Sequence, residues 1–278
     1  MFKKSLLVGL AVAALSCGLA QAQSQPAAPA SPHTFSANIG LYSQYIFRGL
    51  TQTDGDPALQ GGVDYSHSSG FYLGAWGSNI KWLRQNNFGA PGSYSSNGRI
   101  ELDFYGGYKW GFAPDWTLDL GTLYYYYPGD VVPGFVKADA WEVYAGLSWK
   151  WLSAKYSYAV RNKNFQLLNS DGSWYLDLSA NVPLGEFVKP LDGVTLMAHW
   201  GKQEFKGNTG LFPNDTCSYE DWKLGLSYAL PWDLTIGAFY TDTSKASNLC
   251  YGNVAQGGPF SGKNIARSTG TIYIQKTF

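Results

Sequence analysis

Charge is scarce in this 278-residue chain: Asp, Glu, Lys and Arg together make up 14% of it, 20 acids against 20 bases. A nucleic-acid binder needs a basic face, and this balance supplies none. Histidine and cysteine occur three times each, without the spacing of a metal centre, and no phosphate loop or dinucleotide fingerprint is present. Past the N-terminus no apolar run approaches the length of a transmembrane helix. Aromatic residues and glycine are abundant instead, with 20 Tyr, 11 Trp and 33 Gly. A β-barrel alternates apolar and polar residues, so it crosses a membrane without a hydropathy peak.

Residues 1–22 read as a cleaved export signal. Lys3 and Lys4 precede a short apolar stretch, and Ala20-Gln21-Ala22 has the small-x-small form of a cleavage site. A lipoprotein reading would lipidate Cys17, but Ala14 stands where Leu is usual. Residues 23–33, rich in Pro, Ala and Ser, read as a flexible periplasmic lead-in. The barrel is expected over residues 34–278. Export to an oxidising compartment favours a Cys217–Cys250 disulfide, with two free thiols as the alternative.

Residues 100–127 set the pattern. Leu102, Phe104, Tyr108 and Trp110 alternate with Glu101, Asp103, Tyr105 and Lys109. Trp116, Leu118, Leu120, Tyr124 and Tyr126 then alternate with Thr117, Asp119, Gly121 and Tyr125. Successive side chains of a strand point to opposite faces, so each segment has one apolar and one polar face. Aromatics end the apolar faces, as in the two belts of a transmembrane hairpin. Similar segments recur from residue 35, where the first is expected to run to Gly49, through to Phe278. Connections alternate short and long, near Ser69, Ala113, Lys150 and Trp232 against Asn87, Gly134, Leu167, Lys206 and Leu249. The pattern predicts an all-β fold: an antiparallel transmembrane barrel of about 12 strands, with short periplasmic turns and long external loops. A soluble sandwich has no reason to sort its loops by length.

The chain ends on Phe278 after Ile272 and Ile274. This resembles the C-terminal signal read by the machinery that assembles outer-membrane barrels, although Lys276 departs from its apolar pattern. Phe47-Arg48-Gly49, Gln52-Thr53, Pro57-Ala58, Gln60-Gly61-Gly62, Asp64-Tyr65 and Ser69-Gly70-Phe71 resemble the opening of a proteobacterial outer-membrane family. It is the TorF family of porins, formerly the Gly/Cys/Trp-rich family Gcw_chp of unknown function. The resemblance implies an outer-membrane barrel and a pore, and carries over no substrate or catalytic residue.

On the inward phase lie Arg48, Asp64, Glu101, Asp103, Lys109, Asp119, Glu142, Lys155, Asp177 and Lys223. They are the candidate pore-lining residues. Their acidic excess reads either as a water-filled lumen with a slight cation preference or as a salt-bridged interior that supports the barrel. Arg48 is expected at the pore mouth, paired with Asp64, Asp54 or Asp56, because a partly buried charge needs a partner. Tyr105, Tyr125 and Tyr144 read as a slide for an amphipathic solute or as filling for the lumen. Thr53-Asp54-Gly55-Asp56 lacks the later ligands of a calcium loop. His199 falls inward with no lipid-facing Ser beside it, which disfavours an outer-membrane lipid hydrolase. No catalytic residue, cofactor or metal is expected.

The function these residues imply is a porin-like outer-membrane channel for passive diffusion of small hydrophilic solutes. The alternative is a closed structural or surface-interaction barrel that acts through its external loops. Expected partners are outer-membrane lipid and lipopolysaccharide, the barrel-assembly machinery at Phe278, and small solutes. The oligomeric state is left open.

Overall fold

The computed structural model describes residues 31–86 and 93–278. Residues 1–22 and most of the expected lead-in therefore lie outside the described residues. Twelve strands form the wall: β1 (His33–Tyr42), β2 (Ala58–His67), β3 (Phe71–Asn79), β4 (Ile100–Ala113), β5 (Trp116–Tyr126) and β6 (Ala140–Trp149), followed by β7 (Leu152–Ala159), β8 (Trp174–Pro183), β9 (Val194–Glu204), β10 (Tyr219–Leu230), β11 (Leu234–Ser244) and β12 (Thr269–Thr277). Each pairs antiparallel with its sequence neighbours, and β12 closes onto β1 with Leu41 opposite Ile274. Closure gives every strand two partners, so no edge of unpaired amides faces lipid.

The outer surface is apolar, as the alternation requires. Phe35, Val63, Leu73, Leu120, Leu224 and Ile272 are all exposed, a surface that only lipid covers favourably over such an area. Aromatic rings run along the periplasmic rim from Trp110 through Phe112, Trp116, Trp149 and Trp151 to Phe187. Trp174 stacks on Tyr156 near the other rim. Lys276 points to lipid at the periplasmic end, and its Nζ bends to the Trp232 carbonyl and to Asp233. A rim lysine can snorkel in this way, so the charge sits within the terminal pattern. Inside, Gly121 lets the wall pass close to Tyr144: an added Cβ would lie 2.5 Å from the tyrosine hydroxyl.

The first strand departs from expectation. It stops at Tyr42, and the next residues turn inward instead of continuing the wall to Gly49. Ile46–Phe47 and Leu50–Thr51 pair as a small hairpin inside the barrel. Its two tip residues, Arg48 and Gly49, have φ of 46° and 77°, the pattern of a type I′ turn. A second small hairpin pairs Lys163–Asn164 with Leu167–Leu168 around Phe165 and Gln166, with φ of 50° and 69°. Short helices α1 (Trp82–Gln85) and α2 (Asn248–Tyr251) sit in the external loops.

The apolar core accordingly lies at the external end. Tyr45, Leu50, Leu83, Tyr94, Phe205 and Phe260 pack there as one buried cluster, with Cys250 against it. Cys217 and Cys250 are bridged, with Cα atoms 5.5 Å apart and a sequence separation of 33. They join the loops on either side of the β10–β11 hairpin. Closing a loop of that length stabilises the cap by about 3–4 kcal/mol in the chain-entropy account.

Two outcomes follow. Leu120→Arg places a charge on lipid at a cost of about 2–4 kcal/mol, whereas Thr117→Arg faces the lumen near its periplasmic mouth. Leu120→Arg should reduce the heat-modifiable folded band on gels far more than Thr117→Arg, and equal tolerance would mean that the inside and outside faces are exchanged. Cys217→Ser should abolish the non-reducing mobility shift and speed proteolysis within residues 245–268, with the barrel still folded.

Candidate functional site: the plugged lumen

The inner face carries the polar half of every strand, and its burial changes along the barrel axis. Near the external end Glu101, Asp103, Tyr125, Glu142, Tyr175, Gln203 and Asp221 are buried. Further down, Asp64, Asp119, Lys155, Asp177 and Lys223 are half-buried, and Lys109 is exposed. The lumen is thus more open towards the periplasm and narrowed beneath the external loops. The first-loop hairpin, with Arg48 at its tip, is the partial plug that narrows it.

Arg48 makes a two-pronged ion pair with Glu142, Nη1 to Oε1 at 2.9 Å and Nη2 to Oε2 at 2.7 Å. Nη1 also donates to Gln203 Oε1 at 2.8 Å, and Nη2 to the Tyr125 hydroxyl at 3.3 Å. The guanidinium lies over the Tyr175 ring, 4.2 Å from its centroid. Only 7% of the Arg48 side chain and 3% of the Glu142 side chain are exposed. Burial works against the arginine charge, but Glu142 outweighs it and holds the guanidinium pKa above its ordinary value. Gly49 is pressed against the opposite wall, where an added Cβ would meet Asp221. Planar, forked recognition of a carboxylate is particular to arginine.

A second cluster surrounds His199. Nε2 faces Asp221 Oδ2 at 2.9 Å and the Tyr175 hydroxyl at 2.9 Å. Nδ1 faces Ser179 Oγ at 3.1 Å and Asp177 Oδ1 at 3.4 Å. The Ser179 hydroxyl itself donates to Asp177 at 2.6 Å. Tyr175 joins the two clusters, donating to Asp221 at 2.9 Å beneath the Arg48 guanidinium.

The remaining wall charges are held by tyrosines. Tyr105 donates to Asp64 and Tyr72 to Asp119, each at 2.6 Å, and the Tyr72 and Tyr144 hydroxyls touch. Lys109 lies over the Tyr72 ring, Lys155 over Tyr144 and Lys223 over Phe239. Tyr45, in the first loop, donates to Glu101 at 2.5 Å; burial and that carboxylate push its hydroxyl well above the usual range. Among the described residues, Glu101 Oε2 and Asp103 Oδ1 have no partner.

Nine of the ten candidate pore-lining residues, Asp64, Glu101, Asp103, Lys109, Asp119, Glu142, Lys155, Asp177 and Lys223, lie on barrel strands, and Arg48 does not. Its expected pairing is also corrected. Asp64 is held by Tyr105, Asp54 by Arg267 and Gln85, and Asp56 by Lys81. All three are occupied in the wall or loops, whereas the inward turn carries Arg48 to Glu142. Tyr125 is packed under Phe47 and Phe165 and lines no open path. Asp221, Gln203, Tyr72 and Tyr175 went unnoticed in the sequence. Asp221 had a signal, since it lies two residues before Lys223 in the same inward phase.

A family described as "Bacterial protein of unknown function (Gcw_chp)" matches residues 26–278, and the chain belongs to that family. No curated protein matches the sequence. Among solved structures, the chain resembles the KdgM porin at 10% identity and a TM-score of 0.49, covering 87% of this chain and 99% of that one. It resembles the NanC porin at 13% identity and 0.48, over 88% and 98%, and OprD from Pseudomonas aeruginosa at 11% identity and 0.38, over 88% and 65%. The barrel itself is established by its own strand pairing.

Arg48→Ala leaves Glu142 buried without its partner, a loss of about 3–5 kcal/mol in comparable buried pairs. Limited proteolysis of the folded barrel should then cut within residues 43–57, while the parent protein, in which that segment is largely buried, should resist cleavage there. Arg48→Ala combined with Glu142→Gln should restore part of that resistance, because the stranded charge is gone.

Proposed function

We propose that this member of the family is an outer-membrane channel for passive diffusion of small hydrophilic solutes, exported by way of a signal within residues 1–22. The observation that carries this reading is the polar inner face. It opens towards the periplasm with half-buried charges along it and ends at the first-loop hairpin. A barrel built only for rigidity could fill its interior with apolar side chains.

Selectivity would follow from the charges that remain after internal pairing. Glu142 is matched by Arg48, and His199 lies between Asp177 and Asp221. Among the described residues, Asp64 and Asp119 accept only tyrosine hydroxyls among side chains, while Lys109, Lys155 and Lys223 sit over aromatic rings. Summed over the whole inner face, Asp64, Glu101, Asp103, Asp119, Glu142, Asp177 and Asp221 outnumber Arg48, Lys109, Lys155, Lys223 and His199, and that excess supports a weak preference for cations. The Arg48 hairpin would act as the sieve at the narrowest level.

An enzyme reading draws on Ser179, His199 and Asp221, which resemble a nucleophile, base and acid. The geometry argues against it. Both imidazole nitrogens face carboxylates, so neither is free to accept the serine proton, and the serine donates to Asp177 instead. The cluster also faces the lumen and not lipid. A closed barrel working through its loops is the second reading, favoured by the packed apolar cap over the lumen.

Single-channel conductance of the folded mature chain in a planar bilayer decides between the two. Discrete steps, with a reversal potential on the cation side under a salt gradient, are expected. Asp64→Asn with Asp119→Asn should move that potential towards zero, and Arg48→Ala should enlarge the steps. A silent parent protein that conducts only as Arg48→Ala would favour the closed barrel.

A further inference from the structure

The external loops enclose a cavity of about 610 Å³ directly above the Arg48 hairpin. Phe47 forms part of its floor, and Trp82, Phe165, Phe212, Tyr251 and Phe260 stand in its walls. No charged residue lines it among the described residues. A protein surface facing water does not keep such a hollow by default. Apolar walls collapse together unless something holds them apart, because burying that area is favourable.

Here several things hold them. The Cys217–Cys250 bridge lies in the wall. Gln166 ties three loop segments together: it accepts from Asn86 at 2.9 Å and from Ser93 at 3.1 Å, and it donates to the Val136 carbonyl at 3.1 Å. The backbone carries a further mark. Phe165 sits at φ 50°, at the tip of the second hairpin, where asparagine or glycine is favoured and a bulky ring is an outlier. Its ring meets Phe47 with centroids 5.9 Å apart and Tyr125 at 5.2 Å. A strained position persists where the surroundings over-determine it, commonly at a binding site.

We propose that this cavity binds a small, neutral, flat aromatic molecule from the external medium. The volume lies in the range of ligand pockets, about 300–1,000 Å³. The absence of lining charge excludes an ion or a sugar acid, whose desolvation nothing there would offset. Rings set edge-on to one another, such as Trp82 and Tyr127 at 87°, offer the faces and edges that aromatic ligands prefer. Trp82 is 8% exposed and offers its ring to the cavity wall. The site lies among the external loops, so a ligand reaches it from the external medium.

The test uses 7-methoxycoumarin, a neutral bicycle with a carbonyl acceptor, titrated by fluorescence polarisation against the folded protein in lipid nanodiscs. Empty nanodiscs give the background. Saturable binding of one coumarin per barrel is expected. Phe165→Asn removes the ring while relieving the left-handed turn; with folding confirmed by the heat-modifiable band, it should weaken binding by about tenfold or more. Hexan-1-ol, a neutral alkyl chain, should not displace the coumarin. Binding no greater than to empty nanodiscs, equal affinity in Phe165→Asn, or displacement by hexan-1-ol would overturn the proposal.

Discussion

A strand inside a bilayer has no water to bond its amides, so each must find a partner within the protein. Twelve strands meet that demand by closing on themselves, and most of the remaining architecture is its consequence. Closure fixes the two-residue period, because one face must meet lipid and the other must not. It sends Leu120 and Leu224 outward and Asp119 and Lys223 inward. It also makes the interior the place where polar side chains collect, and there the constraint changes from solvation by lipid to neutralisation of charge.

That second constraint explains the plug. At the external end the wall brings Glu142 and Asp221 inward with little water around them, alongside Glu101 and Asp103. Carboxylates in such a place need a cation or a donor. The wall supplies His199 and several tyrosines, and the first loop supplies Arg48 and Tyr45. The Arg48–Glu142 pair adds little net stability in itself, since desolvating two charges offsets most of their attraction. What it does is position. Losing either partner strands the other, so the hairpin has one favourable depth and orientation in the lumen. A non-glycine residue at positive φ is tolerated at its tip because the guanidinium's contacts offset a local cost of about 1–3 kcal/mol.

The barrel was legible because its rule is local and repeats. Alternation through residues 100–127, the turn near Ala113 and the long segment around Gly134 each report on themselves, and the strand count follows by addition. The plug was not legible for the opposite reason. Tyr45 and Phe47 continue the two-residue alternation of Phe35 to Leu41, so a strand that carries on and a hairpin that folds inward look alike in sequence. The type I′ signal usually read from Asn-Gly is carried here by Arg-Gly and, in the second hairpin, by Phe-Gln. The partners that settle the matter lie 94 and 155 residues away from Arg48. Long-range pairing of that kind leaves no periodic trace. His199 was placed inward correctly, but its two carboxylates come from different strands and became visible only once the register was known.

The barrel therefore stacks two unlike environments, and Arg48 stands between them. Above it lies an apolar, aromatic hollow held open by a disulfide and a strained turn; below it lies a polar lumen lined by carboxylates and lysines. Phe47 and Gln203 border the hollow while the first carries and the second binds the arginine. A neutral aromatic molecule seated above would gain nothing by descending, since the lumen offers it charges to desolvate and little apolar surface to cover. A small hydrated solute would gain nothing by lingering above, for the converse reason. The two proposed activities therefore share the external approach but retain different solutes. They meet at the hairpin, whose upper side faces the ligand cavity and whose tip sets the width of the lumen, so anything that shifts its depth alters both.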